Sequence, residues 1–237
     1  MLGTSVNVAG LLVGAVIGRW IPRNLSPRHQ LQARQLLAGL TLFTGLAVVW
    51  TGLPAQPIAA VKVGVGALVA LSLGSLTGHL LGLQRLFSGW VSWAAPARVQ
   101  PGVSTAPSAG FPLEAVVMAA NPLGWIGAVL EGWTGDWRPL ALKGALDALA
   151  AMGFAVAGSR TVWLAALPVI AVQGTLSLAA AMIAQRISDP ASAAGLHVCS
   201  GLLVITLTPV VLGLRKVPLA NYLPALIYAP VISHGWH

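Results

Sequence analysis

Along the chain, polar residues come in short groups, and long apolar runs separate them. Helices that cross a hydrocarbon core need about 20 mostly apolar residues, with a range of roughly 17–25. Eight segments meet that need: Leu2–Ile21, Leu36–Leu53, Ile58–Leu83, Phe111–Trp133, Leu140–Gly158, Val162–Gln185, Ala191–Leu214 and Val217–His234. The last carries Pro224 and Pro230 and is expected to be tilted or re-entrant if it does not span. A transmembrane β-barrel would instead show alternating segments of about 10 residues. The pattern therefore predicts an all-α, polytopic transmembrane helical bundle of seven to eight membrane segments, some broken by Pro or Gly, forming a single transmembrane domain over residues 1–237.

One connection is long, Gln84–Gly110, and it parts three spans (1–83) from the rest (111–237). Within it, Leu86, Phe87, Trp90 and Trp93 recur near helical spacing with Arg85 on the polar side, which predicts a short interfacial helix over Leu83–Trp93. Pro96, Pro101 and Pro107, with several Ser and Gly, make Ala95–Gly110 a flexible linker. No internal repeat emerges.

Composition agrees. Hydrophobic residues make up 57% and charged residues only 8% of the chain, against roughly 25% charged in soluble domains. Mean hydropathy is +0.83. The net charge of +8 does not point to nucleic acid, because the basic residues sit at the ends of apolar runs and read as topology signals. With Met1 outside, the inner connections carry Arg19, Arg23, Arg28, Arg34, Arg85, Arg98, Arg160, Arg215 and Lys216, and the outer ones only Arg138 and Arg186. Both termini are then outside if all eight segments span; otherwise the C-terminus is cytoplasmic. Arg19 and Arg23 follow the first apolar stretch rather than precede it, which marks a retained helix and not a cleaved signal. A single cysteine, Cys199, excludes an internal disulfide.

Two glycine ridges, Gly10-Gly14-Gly18 and Gly74-Gly78-Gly82, allow close helix approach. They suit either packing within the chain or the seam of a homo-oligomer. Trp20, Trp50, Trp133, Trp137 and Trp163 fall near span ends, as membrane anchors do.

Polar groups inside the spans are the places where chemistry is expected. Ionisable groups in hydrocarbon are retained where they pair, line water or bind something. Asp147 lies well inside the fifth segment, and Lys143 stands one turn earlier on the same face, a spacing that permits an ion pair. Glu131 and Asp136 flank the turn before them, so Glu131, Asp136, Lys143 and Lys62 are expected to share the outer third of the membrane, either as a vestibule or as an ordinary charged hairpin. Asn121-Pro122 breaks the fourth segment at mid-depth, where a break is tolerated if it is buried or lines a cavity. With Gln173 in the sixth segment, Asn121 and Asp147 are expected to line one polar cavity. Asn7 and Asn221 add amides to the first and last segments. His79 and His197 have no second ligand at metal spacing and read as packing residues. No HExxH motif, phosphate-binding loop or other catalytic or cofactor-binding constellation is present, so no enzyme and no cofactor is expected.

Taken together, Glu131-Gly132-x-x-Gly135-Asp136, Lys143, Asp147, Gln173-Gly174, Asn221-x-Leu223-Pro224-Ala225-Leu226 and the early Asn7-Val-Ala-Gly-Leu-Leu-Val-Gly14 resemble the YqgA/YdfK family of bacterial inner-membrane proteins, domain of unknown function 554. The resemblance covers nearly the whole chain and implies a multi-pass plasma-membrane protein. It departs at Asn121-Pro122 and in the Pro-rich linker. The polar residues suggest a small secondary transporter or channel-like permease for an ion or solute, with Asp147, Lys143, Gln173, Asn121, Glu131 and Asp136 as its site. The alternative is a non-transporting scaffold or assembly factor packed through the glycine ridges.

Overall fold

The computed structural model describes residues 1–21, 27–95, 111–187 and 189–236, and among these the secondary structure is entirely helical. Helices α1 (Leu2–Ile17), α2 (Pro27–Gly52), α3 (Pro57–Leu80) and α4 (Leu83–Ala94) precede α5 (Phe111–Ala119), α6 (Pro122–Thr134) and α7 (Arg138–Val156). A 3-10 turn, Val162–Ala165, leads into α8 (Ala166–Ala184), followed by α9 (Pro190–Ile205) and the short α10 (Thr208–Val211). Another 3-10 turn, Leu219–Tyr222, precedes α11 (Ala225–Gly235). The expected linker around Pro96, Pro101 and Pro107, and the topology residues Arg23 and Arg98, lie outside the described residues.

All eight apolar segments fold as helix, but fewer than eight are full spans. Among the described residues, five helices are long and apolar enough to cross a membrane, and a sixth span results if the bent pair α5–α6 counts as one. Helix α1, at 16 residues, reaches only about 24 Å at 1.5 Å per residue, short of a hydrocarbon core of roughly 30 Å. The final segment is divided by its prolines into the 3-10 turn and an 11-residue helix with Pro230 inside it. At the other extreme, α2 begins at Pro27 rather than Leu36, so its polar first turns extend the helix beyond the apolar stretch.

Glycine contacts fix which helices pair and in which sense. Cβ atoms built at Gly10, Gly14 and Gly18 would strike Gly144, Ala148 and Met152 in turn, so α1 and α7 run parallel at backbone contact. Helices α6 and α8 are also parallel, with Gly124 against Gln173 and Gly132 against Ser177. Antiparallel pairs are α2 with α9 (Gly45 on Ile205, Gly52 on His197) and α3 with α11 (Gly66 on Ile232, Gly74 on Ala225). Both ridges are thus consumed within the chain. Gly82 departs from its ridge: a Cβ there would meet nothing within 4 Å among the described residues, and it turns the chain from α3 into α4 at φ +65°, a conformation that favours glycine.

These senses match strict alternation of the segments, which puts both chain ends on one face. There the Met1 amine reaches Glu131 at the end of α6, and His234 reaches Asp189 ahead of α9. The opposite face carries α4 together with Arg19, Arg28, Arg34, Arg85, Arg160, Arg215 and Lys216. Large apolar side chains such as Phe43, Leu68, Leu76, Leu167 and Leu178 are exposed around the bundle, a surface suited to lipid rather than water. Trp20, Trp50 and Trp93 are each about four-fifths exposed near helix ends, as interfacial anchors should be. Helix α4 is amphipathic as expected and buries Phe87, which packs 5.2 Å from Trp125 of α6.

Candidate functional site

The break between α5 and α6 organises the centre of the bundle. In an unbroken helix the Met118 carbonyl would accept from residue 122, but Pro122 has no N–H. The two helices bend by 49°, and the Asn121 side chain caps α6 by accepting from the Leu123 N–H at 3.0 Å. The orphaned Met118 carbonyl accepts from Lys143 Nζ at 3.0 Å. Lys143 also donates to Asp147, so the expected pair on α7 forms. Gly124, two residues past the proline, makes room for it: a Cβ there would lie 2.7 Å from Lys143 Cε and 3.0 Å from Gln173 Nε2.

Beside the pair, Asn7 of α1 donates to Gln173 Oε1 of α8 at 3.1 Å. Lys143, Asn7 and Gln173 are fully buried, and Asp147 nearly so. Two polar atoms in this group, Asn7 Oδ1 and Gln173 Nε2, have no hydrogen-bond partner among the described residues. Five helices therefore converge on one closed, polar, charge-balanced centre. Asn121 is not among its side chains. Its amide belongs to the α6 cap and to an open cavity of about 540 Å³ toward the α4 face, lined also by Gln84, Phe87, Ser88 and Pro122.

Glu131 does not line an open entrance. Its carboxylate accepts from the Gly3 and Thr4 backbone N–H groups, from the Thr4 hydroxyl at 3.2 Å and from the Ser177 hydroxyl at 3.4 Å, with the Met1 amine 3.5 Å away. The first N–H groups of a helix lack intrahelical partners and carry positive potential, so a carboxylate from α6 anchors the start of α1. Lys62 is exposed on α3 with no partner among the described residues. Of the four charges expected at one level, Glu131, Asp136 and Lys143 thus engage separate partners and Lys62 stands apart on α3.

Sequence reasoning gave no role to Glu114, in the first turn of α5. It is fully buried; its Oε2 accepts from the Thr161 hydroxyl at 3.0 Å, and its Oε1 has no partner among the described residues. The available signal was its spacing: Glu114 and Met118 lie one turn apart on α5.

The family profile described as "Protein of unknown function (DUF554)" matches residues 2–234. The chain belongs to the DUF554 family. Among its relatives, the uncharacterized protein YqgA of Escherichia coli (strain K12) is 28% identical, covering 100% of this chain and 97% of its own length. The uncharacterized membrane protein YdfK of Bacillus subtilis (strain 168) is 23% identical over the same shares. No solved structure matches. The family resemblance read from the polar residues is therefore correct, and a relative described as a membrane protein agrees with the apolar helices of this DUF554 chain.

On the face bearing the termini, this DUF554 chain holds Asp136 in the turn after α6. Arg138 grips its carboxylate with two contacts of 2.9 Å, and His197 stands 3.6 Å away. Desolvation alone would raise the pKa of Asp136, but hydrogen bonds from His197 and Arg138 outweigh it and lower the value from 3.8 to about 2. A depressed carboxylate stabilises the fold above its unfolded pKa and loses that contribution as the pH falls. The melting temperature of the purified protein should therefore drop between about pH 4 and pH 2 more steeply than that of Asp136→Asn. Coincident profiles would show that the contact contributes nothing. On the opposite face, Gln84 and Asn221 tie α4 to the last segment: the Gln84 N–H donates to Asn221 Oδ1 at 2.9 Å, and Gln84 Oε1 accepts from the Ala220 N–H at 3.3 Å.

Proposed function

We propose that this protein is a small secondary transporter of the bacterial inner membrane, with both termini outside, and that the Lys143–Asp147 centre is its substrate site in an occluded state. The observation that carries this reading is a buried ion pair placed where α5 and α6 are broken, beside an amide atom on Asn7 and one on Gln173 that lack a partner among the described residues. Buried charges in membranes mark ion and substrate pathways by default, and broken helices at mid-depth are a recurrent way to build transporter sites. Asn7 Oδ1 and Gln173 Nε2 offer one acceptor and one donor to a small polar solute. The excess of basic residues on the α4 face supports its being cytoplasmic.

The scaffold reading loses support because Gly10, Gly14 and Gly18 pack on α7, and Gly74 and Gly78 on the last segment of the same chain, at Ala225 and Asn221. Reconstituted protein should take up at least one member of a panel of small organic acids, amino acids and cations, and Asp147→Asn should abolish that uptake without altering the elution profile of the protein. Uptake unchanged in Asp147→Asn would remove the centre from the mechanism.

A further inference from the structure

We infer that the α4 face carries a binding site for an anionic phospholipid, built by Arg34, Arg215 and Lys216 and extended by Arg85. The inference goes beyond the transporter reading and holds whether or not a solute moves. It starts from an imbalance between the two faces. The chain has only five acidic side chains. Glu131, Asp136 and Asp189 belong to the face bearing the termini, and Asp147 is paired with Lys143 at the centre. Glu114 alone lies toward the α4 face, and it is fully buried. The chain therefore has no exposed side-chain carboxylate with which to neutralise the cations there.

The fold gathers three of those cations. Helix α10 is followed by a turn at Gly213, φ +75°, and a Cβ built there would lie 3.6 Å from Arg34 Nη1, so the guanidinium of α2 rests against that turn. Arg215 and Lys216 follow within three residues, a reach of at most about 11 Å along the chain. All three side chains are exposed, and none has a partner among the described residues. Their spacing is comparable with the Debye length of about 8 Å at physiological ionic strength, so their mutual repulsion is incompletely screened and a shared anion relieves it. The same segment runs on to Ala220 and Asn221, which hold Gln84, and exposed Arg85 stands next to it on α4. Apolar side chains flank the strip. Leu214 is 76% exposed, Leu86 is exposed beside Arg85, and Trp90 and Trp93 of α4 lie on the surface, as residues at headgroup level do. A diacyl phospholipid uses both features: its phosphate accepts from the guanidinium forks, and its chains lie along the leucines. Because α2 supplies one cation and the chain beyond α10 the next two, one headgroup ties an early helix to the last segment.

The test uses full-length protein in a neutral detergent, with thermal unfolding followed by tryptophan fluorescence while dioleoylphosphatidylglycerol or dioleoylphosphatidylcholine is titrated in. The phosphatidylglycerol should raise Tm with a lower midpoint concentration than the phosphatidylcholine. Arg34→Gln, Arg215→Gln and Lys216→Gln should each raise that midpoint about 5-fold, the scale of one basic residue at an anionic surface, and the triple variant roughly 100-fold. Lys62→Gln, exposed on α3, should leave it unchanged. All of these substitutions alter exposed side chains, so Tm without lipid should match wild type. Equal midpoints for the two lipids overturn the inference, as does a triple variant that keeps the wild-type midpoint. Equal stabilisation by inorganic phosphate or by a short oligonucleotide overturns it too, because the strip would then read charge and not a lipid.

Discussion

Lys143→Met is expected to cost about 3–5 kcal/mol of stability, because it leaves the Asp147 carboxylate buried without its counter-charge. Lys143 is fully buried, and its ammonium also satisfies the Met118 carbonyl freed by Pro122, so one substitution strands two groups. The informative comparison is the double variant Lys143→Met/Asp147→Leu. Apolar replacement of a whole buried pair is often neutral or stabilising by about 1–4 kcal/mol, so the double variant should recover most of the loss, read by detergent or thermal unfolding. It should nonetheless be inactive in uptake. Stability recovered with activity absent would mean the pair is kept for its chemistry. A double variant as unstable as Lys143→Met would make the pair a structural element of the fold.

Gly14→Leu should be comparably damaging for a different reason. A Cβ at Gly14 would overlap the Ala148 backbone of α7, and backbone cannot swing aside as a side chain can. Core overpacking typically costs about 1–3 kcal/mol, and forcing two helices apart should reach or exceed the upper end. Gly39 is the matched control: a Cβ there, inside α2, would meet nothing within 4 Å among the described residues, so Gly39→Leu should stay within about 0.5 kcal/mol of wild type. The fraction of monodisperse protein after extraction reads both. Equal recovery of the two variants would refute the contact between α1 and α7.

The helices were legible because lipid imposes a length and a composition that soluble cores do not. The Lys143–Asp147 pair was legible because i,i+4 spacing places two side chains on one helical face whatever surrounds it. Partners distant in sequence were not. Nothing local to Gly14 names Ala148, and nothing local to Glu131 names the backbone of Gly3. The start of α2 escaped the apolar pattern because arginine and glutamine sustain a helix well once it leaves hydrocarbon. Asn121-Pro122 could have been read further, since Asn at the cap with Pro at the first helical position is a signature of a new helix. Read that way, its amide is committed to α6, and the carbonyl left free is that of Met118.

The pairing of early helices with late ones has a consequence for biosynthesis. Helix α1 packs on α7, α2 on α9 and α3 on α11, so each of the first three emerges from the ribosome long before its main partner. Gly14 and Ala148 are 134 residues apart, and at about 5–20 residues per second the glycine face of α1 waits roughly 7–27 s in the bilayer. During that interval it is a short, unaccompanied helix whose Asn7 faces lipid or a chaperoning insertase. Nascent chains stalled before residue 144 should therefore remain in contact with the insertion machinery, and release should come as a late, concerted event when the second half arrives.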